Sequence, residues 1–394
     1  MRVLLVHNFY RQPGGEDAVF ANERALLESH GHDVRPLTLS NDDLGGALAM
    51  LRTAWETPYS EPSRRRMAKA LAEHAPDLVH VHNFFPRWTP SIFDATREAG
   101  VPSVMTLHNY RLICPAATLY RSGRICEECV TGSPYRAVLH GCYRDSQPGS
   151  LAVARLVARH HHRRTWHDKV DRFIVLTEFA GRKFVEGGLP ADRLRVKPNF
   201  LPAVGADAAD GRGRGPHALF VGRLSAEKGI QTLLRAWAGL AVPLRLVGDG
   251  PLLDAARGAA PPAVAVLGAL ARERVAEEMR RAAFLVLPSE WYEGFPMVLV
   301  EAFRAGLPVV AARLGAMAEI VEDGLTGLHF AAGRAADLAE KVRFAAANPE
   351  TMRAMGENAR RVYERRYTGE ANYARLMEIY GEALRAGTGE GGNG

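Results

Sequence analysis

A chain of 394 residues, 47% hydrophobic and 24% charged, is long enough for two domains that each bury a core, and its composition is that of an ordinary globular protein. A formal charge of +6 points to acidic partners, among them nucleotide phosphates, anionic lipid and nucleic acid, without choosing between them. No apolar run approaches the roughly 18 residues of a membrane span, and Met1-Arg2 leads into the strand-like Val3-Leu4-Leu5-Val6 in place of a secretion signal, so a cytoplasmic location is expected.

In chain order, short apolar strands alternate with amphipathic helices. Strands are expected at Val3–Val6, Val34–Leu37, Leu78–Val81, Ser103–Thr106, Phe173–Leu176 and Leu194–Val196. Helices fit Asp17–Ser29, Arg64–Glu73, Ile92–Glu98, Leu151–Trp166 and Glu178–Val185. The alternation predicts a mostly parallel sheet covered on both faces, with ligand-binding loops along one edge. Arg155–Lys169, with His160-His161-His162-Arg163-Arg164, reads as a solvated basic helix face; contact with an anionic membrane surface is the alternative. Arg64-Arg65-Arg66 is a shorter stretch of the same kind.

After His108 the alternation stops. Asn109 to Cys142 occupies a place where a compact fold needs only a few residues. This insert, 109–147 in all, holds all four cysteines as Cys114-x11-Cys126-x2-Cys129-x12-Cys142, and the middle pair has zinc-knuckle spacing. Disulfides are disfavoured in the cytoplasm. The expectation is a structural zinc on Cys114, Cys126, Cys129 and Cys142 that stiffens a lid; four reduced thiols are the alternative.

Between Pro198 and Pro216 the character changes. Ala203–Gly215 is almost all Ala, Gly, Asp and Arg, too polar and too Gly-rich to pack, which makes it the linker. A second series then follows, with strands at Ala218–Val221, Leu244–Val247, Val264–Leu267, Phe284–Leu287, Val309–Ala311 and Leu328–Phe330. The expected domains are 1–200 and 201–370, followed by a helix over 371–386 packing back toward the first domain and a disordered tail at 387–394.

Chemistry gathers in the second series. Gly222-Arg223-Leu224-Ser225-Ala226-Glu227-Lys228-Gly229 is a strand end, a turn and a helix start carrying two cations. Arg223 can grip phosphate oxygens bidentately and Lys228 supplies a point charge. Gly248 and Gly268 stand in further strand-end turns. In Glu293-Gly294-Phe295-Pro296-Met297-Val298-Leu299-Val300-Glu301, one acid lies on a loop and the other about a turn into the following helix. The helix N-terminus between them offers unpaired N–H groups to an anion. Two hydroxyl-accepting carboxylates flanking an anion site suit a sugar joined through phosphates to a ribose; two solvated glutamates at a helix start are the plainer alternative. Trp291-Tyr292 either stacks on a sugar or packs. Neither half carries a full G-x-G-x-x-G fingerprint, which weakens a nicotinamide reading.

These motifs resemble the family 4 glycosyltransferases, retaining enzymes of the GT-B fold, in which two Rossmann-like α/β domains face each other across a cleft. The resemblance implies that Arg223 and Lys228 hold the donor diphosphate, Glu301 the ribose, and Glu293 with the Gly294–Pro296 backbone the sugar. It also implies phosphate contacts from the Val298 and Leu299 N–H groups and a base contact near Gly268. Gly14-Gly15-Glu16 matches the family's glycine loop near the diphosphate and acceptor, and His108 the histidine near the reacting carbon. The implied ligand is a nucleotide-diphosphate sugar, with UDP, GDP and dTDP left open.

Glycosyl transfer needs negative charge stabilised on the departing diphosphate, which the two cations and the helix N-terminus supply. No Asp-x-Asp metal-holding motif occurs, so no catalytic metal is expected. Retention by front-face attack fits the lack of an evident covalent nucleophile. Acceptors in view are polysaccharide intermediates, lipid-linked sugars and small natural products. An epimerase or phosphorylase on the same fold is the alternative. A zinc-containing or nucleic-acid-binding protein is a poorer one, and no nucleic-acid partner is expected.

Overall fold

The computed structural model describes residues 1–10, 14–41, 46–202 and 213–387. The first elements are β1 (Arg2–Phe9), α1 (Gly15–Ser29), β2 (Asp33–Ser40), α2 (Ala47–Glu56), α3 (Glu61–His74), β3 (Leu78–Val81), α4 (Ile92–Glu98) and β4 (Ser103–Leu107). The insert adds β5 (Tyr120–Arg121), β6 (Arg124–Ile125) and α5 (Arg136–Leu139). Then come α6 (Gln147–His162), α7 (Thr165–Asp168), β7 (Arg172–Val175), α8 (Glu178–Glu186) and β8 (Leu194–Val196). The second series is β9 (Ala218–Val221), α9 (Ile230–Trp237), β10 (Leu244–Val247), α10 (Leu253–Ala259), β11 (Val264–Gly268), α11 (Arg272–Arg281), β12 (Phe284–Leu287) and α12 (Met297–Arg304). It ends with β13 (Val309–Ala312), α13 (Gly315–Ile320), β14 (Gly327–Phe330), α14 (Ala335–Ala347), α15 (Pro349–Arg366) and α16 (Gly369–Gly387).

Two compact units result. One comprises Met1–Leu119, Cys126–Asn199 and the chain from Gly369 onward; the other comprises Tyr120–Ile125 and Phe200–Thr368. Each holds a six-stranded parallel sheet, in the order β2-β1-β3-β4-β7-β8 and β11-β10-β9-β12-β13-β14 respectively. The inner strands β3, β4, β12 and β13 are short, fully buried runs, as expected of strands covered on both faces, whereas the edge strands β2, β8 and β11 are partly exposed.

In the first unit Val3, Leu5, Leu78, Val104 and Ile174 form the sheet's part of a core that takes Phe20 and Leu27 from α1. Leu376, Ile379, Tyr380 and Ala383 of α16 close it, each at most 1% exposed. In the second unit Phe220, Leu246, Leu285 and Val310 pack with Trp237 of α9 and Phe303 of α12.

Four expectations are corrected. The hairpin β5–β6, paired Tyr120 to Ile125, lies inside the insert given to the first domain but clusters with the second unit, where burial and then Glu290 and Glu227 push the Tyr120 phenol up. The last helix starts at Gly369 and runs through Gly387, so Gly387 is helical; 388–394 lie outside the described residues, as does most of the linker, 203–212. The basic stretch is not one helix. Arg164 takes a left-handed φ of 50° that separates α6 from α7. Nor are all its bases solvated, since His160 is 2% exposed and spends both ring nitrogens on Thr165 Oγ1 (2.9 Å) and the Pro58 carbonyl (2.8 Å). Arg64 and Arg65 are neutralised by Glu61, and Arg64 also by Glu98. No helix among the described residues is long and apolar enough to cross a membrane.

Candidate functional site

In the second unit the strands β11, β10, β9 and β12 are adjacent and parallel, so the loops after them share one sheet edge. Those loops carry Gly268, Gly248, the Gly222–Gly229 turn and Glu293. Close backbone approach holds them in register. Gly222 N donates to Val247 O at 3.0 Å, Leu224 N to Asp249 O at 2.9 Å, and Gly248 N to Gly268 O at 2.8 Å. Gly248, at φ 143°, leaves no room for a side chain, because a Cβ there would fall 1.8 Å from the Gly222 carbonyl oxygen. Glycine is therefore needed to bring these two loops together.

Arg223 is exposed, while Leu224 and Ser225 beside it are buried. A single 3-10 turn, Ala226–Lys228, then aims the chain into α9. The Lys228 ammonium donates to Glu293 Oε1 at 2.6 Å and lies 5.5 Å from the centre of the Trp291 ring. Ser289 Oγ donates to the same carboxylate oxygen at 2.7 Å. Glu293 is only 5% exposed, so a partnered carboxylate is what its burial demands. Trp291 thus packs on Lys228 here.

Pro296 precedes α12 with φ −74° and removes an N–H the helix start would leave unpaired. Gly294 and Phe295 are partly exposed, and Phe295 meets Tyr367 edge-on at 6.1 Å between ring centres. Leu299 N is already spent on Pro296 O at 2.9 Å. The helix thus opens with a tight turn, and the Val298 N–H has no partner among the described residues. Glu301 lies about one turn in. Burial pushes its carboxyl up, with Arg304 and Arg272 opposing, and the carboxyl makes no hydrogen bond among the described residues.

The first unit has its own cluster. Gly14 caps α1 with extended backbone (φ −121°) and donates its N–H to Asp17 Oδ2 at 2.8 Å. A Cβ on Gly14 or Gly15 would meet nothing within 4 Å, so the fold of this unit does not itself require glycine there. Glu16 accepts from Asn109 Nδ2 (2.7 Å) and Tyr10 OH (3.1 Å), and burial pushes its carboxyl up. His108 follows β4 directly, and its Nε2 is 3.2 Å from His82 Nδ1. Behind it lie residues that the motif reading passed over: His82, Glu23, Lys197, His80 and His7. A signal existed. Glu23 falls on the apolar stripe of α1 with Val19, Phe20 and Leu27, and His80 and His82, two apart, share one face at the buried end of β3.

The cysteines form no disulfide; Cys114 is buried and the others partly so. They are neighbours: Cys129 is pushed up to about 12 by burial and then by Cys114, Cys142 and Cys126. Among the described residues, however, the group of three or more ligating side chains whose ligand atoms lie within 4.8 Å of one another is Glu23, His80 and His82, and no three cysteines form one. The sulfurs are gathered but not drawn to the spacing of a shared ion.

Both halves of the chain match family models: residues 14–199 a glycosyl transferase 4-like domain, and 210–362 the glycosyl transferases group 1. With its two parallel-sheet units, the chain belongs to the family 4 glycosyltransferases of the GT-B fold. It is 27% identical to the alpha-D-kanosaminyltransferase of Streptomyces kanamyceticus over 86% of this chain and 84% of that one. An uncharacterized glycosyltransferase of Methanocaldococcus jannaschii is 33% identical over 42% of this chain and 47% of its own. The chain thus spans about half the length of several curated relatives it matches, the D-inositol 3-phosphate glycosyltransferase of Corynebacterium kroppenstedtii among them at 55%. In fold it is similar to the sucrose-phosphate synthase of Thermosynechococcus elongatus (TM-score 0.69, 18% identity, 98% and 99% of the two chains). The Anabaena protein HepE, solved with UDP, is a further neighbour (TM-score 0.66, 19% identity, 97% and 100%).

Proposed function

We propose that this protein is a retaining hexosyltransferase that moves a sugar from a nucleotide-diphosphate donor to an acceptor hydroxyl without a catalytic metal. The observation that supports it most is the convergence of Arg223, Lys228, Gly248, Gly268 and Glu293 on one edge of the second sheet. Arg223 and Lys228 bind the diphosphate, together with the Val298 N–H at the start of α12. Glu301, a half-buried carboxyl without a hydrogen-bond partner among the described residues, takes the ribose hydroxyls, and the loop at Gly268 the base. Glu293 and the Gly294–Pro296 backbone hold the sugar. Gly14, Gly15 and His108 serve the diphosphate and acceptor side.

In the reaction the bond from the anomeric carbon to the phosphate oxygen breaks as the acceptor oxygen bonds to the same carbon from the same face. The acceptor proton passes to the departing phosphate oxygen. Charge growing on the diphosphate is met by Arg223 and Lys228, groups already in place before the bond breaks.

HepE has been solved with UDP and with UDP-glucose, and the Streptomyces relative is named for kanosaminyl transfer. Both support a nucleotide-sugar donor and put UDP-sugars first in a screen. Thermal shift against UDP-, GDP- and dTDP-sugars is the test, because binding raises stability with the logarithm of ligand over dissociation constant. Stabilisation by none of them would overturn the reading. Incubation with donor alone separates transfer from epimerisation, since an epimerase converts its donor without an acceptor.

Two finer points belong to the same reading. The four cysteines, already neighbours in the insert, are drawn together by one structural zinc, which also lowers the raised Cys129 thiol on binding. The protein also works in the cytoplasm with peripheral contact to anionic membrane, where Arg155, 5.2 Å from the Trp55 ring centre, joins a cation to an exposed aromatic. Co-sedimentation with phosphatidylserine vesicles that falls with salt is the test of that contact.

A further inference from the structure

Behind His108 runs a buried line of polar contacts within the first unit. Lys197 Nζ donates to Glu23 Oε2 at 2.7 Å and to Asn372 Oδ1 at 3.1 Å. Glu23 Oε1 is 3.1 Å from His82 Nε2, and His82 Nδ1 is 3.2 Å from His108 Nε2. Lys197 and Asn372 are at most 2% exposed, as are Glu23 and His82. Five separate elements supply these groups: α1, the ends of β3, β4 and β8, and α16.

Such a line fixes where each proton sits. Glu23 is ionised, because the Lys197 ammonium and the two histidines outweigh its burial and hold it well below the usual carboxylate range. A carboxylate only accepts, so His82 Nε2 carries a proton. His82 is neutral, pushed down to about 4 by burial, which leaves its Nδ1 bare. The contact with His108 is then a donation from His108 Nε2–H. His108 is itself held well below the usual histidine range by burial and by His82, so its Nδ1 is a lone pair. That nitrogen has no hydrogen-bond partner among the described residues. His108 also lines a cavity of about 20 Å³ with Tyr10, Asn83, Asn109 and Arg111, room for one water-sized group.

The same geometry leaves no vacancy for a metal at Glu23, His80 and His82. The second Glu23 oxygen is taken by Lys197, His80 Nδ1 is shared between Tyr380 OH (2.7 Å) and Glu23 Oε1 (3.1 Å), and His80 Nε2 is 2.8 Å from Thr106 Oγ1.

We propose that Glu23 and His82 are positioning residues that lock His108 in the tautomer with a bare Nδ1, so that it accepts a hydrogen bond from a sugar hydroxyl. This rests on the placement of His108 in the transfer site proposed above. It deepens that reading, because a histidine so held orients a hydroxyl and leaves the proton to go to the departing phosphate. Second contacts that set a histidine's tautomer are a known means of tuning its role.

The test reads the tautomer itself. Ring nitrogens of [15N]histidine-labelled protein are recorded by long-range 1H–15N NMR, and His108 is identified by the signals lost in His108→Gln. The expected wild-type pattern is a protonated Nε2 and a bare Nδ1. The double variant Glu23→Gln/Lys197→Met removes the charge pair without stranding an ammonium in the core, and His82→Leu removes the acceptor. Each is expected to mix the His108 tautomers, and to lower kcat by on the order of tenfold or more with little change in donor KM. The donor is whichever sugar nucleotide the thermal screen identifies. An unmoved His108 pattern in the folded variants, or a wild-type ring protonated on Nδ1, overturns the lock. Wild-type transfer by His108→Gln overturns instead the role of His108 in the site, whatever the spectra show.

Discussion

Lys228 and Glu293 are bound to each other at 2.6 Å, one proposed for the diphosphate and the other for the sugar. Ser289 is a second hydrogen-bond donor to Glu293, which is 5% exposed, so the pair fixes Lys228 beside a buried carboxylate. Replacing one partner therefore does two things. It removes a ligand contact and leaves a buried charge unpaired. Arg223→Ala and Lys228→Ala should each lower transfer by roughly two orders of magnitude, because both oppose charge that grows in the transition state. Lys228→Ala should also lower stability, where Arg223→Ala, at an exposed position, should not. Steady-state kinetics and melting curves check both. Equal effects on stability would argue against the pair.

Glu301 differs from Glu293 in having no protein partner for its carboxyl among the described residues. Glu301→Ala should weaken nucleotide binding by roughly 1.5–3 kcal/mol, the cost of a lost charge-assisted hydrogen bond. Glu293→Ala should mainly lower turnover. Because burial raises the Glu301 carboxyl, it gains its proton earlier on acidification than an exposed glutamate, near pH 4.3. If the ionised form accepts the ribose hydroxyls, affinity should start to fall above that pH. Calorimetric titration with UDP across pH 4.5–7.5 measures the onset.

Gly248→Ala tests the meeting of the loops after β9 and β10. The new Cβ has a positive φ to accept and the Gly222 carbonyl to displace. A loss of about 1–3 kcal/mol is expected, together with weaker nucleotide binding, because the strained loop bears on the turn carrying Arg223. Full affinity with unchanged melting would show the loop to be tolerant.

Elemental analysis decides the cysteine proposal. About one zinc per chain is expected in reduced, tag-free protein, and Cys126→Ser/Cys129→Ser should lose it while nucleotide affinity stays near native. Brief exposure to EDTA should leave the initial transfer rate nearly unchanged. An immediate loss restored by magnesium or manganese would sink the metal-free mechanism.

Acid should act through buried neutral histidines. His160 is pushed down to about 4 by burial, whereas the unfolded chain titrates near 6.5. Its contribution to stability is complete above pH 6.5 and is lost as pH falls toward 4, at up to about 1.4 kcal/mol per pH unit. His160→Gln should start from lower stability, since Thr165 and Pro58 lose geometry, but its melting temperature should fall less steeply over that window.

Local patterns carried much of this protein in the sequence alone. β3, β8, β9, β10 and β12 run over the very residues marked out for them, because a parallel strand shows in the sequence as a short, mainly apolar run of three or four residues. The donor motifs were equally legible, since each is a turn of a few residues at a strand end. Tertiary structure decided the rest. Nothing local shows that Leu299's N–H is already spent, that a break at Arg164 splits the basic stretch, or that Lys228 finds Glu293 65 positions away. Lys197 meets Glu23 across 174 residues, and Asn372 meets Lys197 across another 175. Period and propensity describe neighbours along the chain, while a buried charge is settled by whichever partner the folded sheet brings to it.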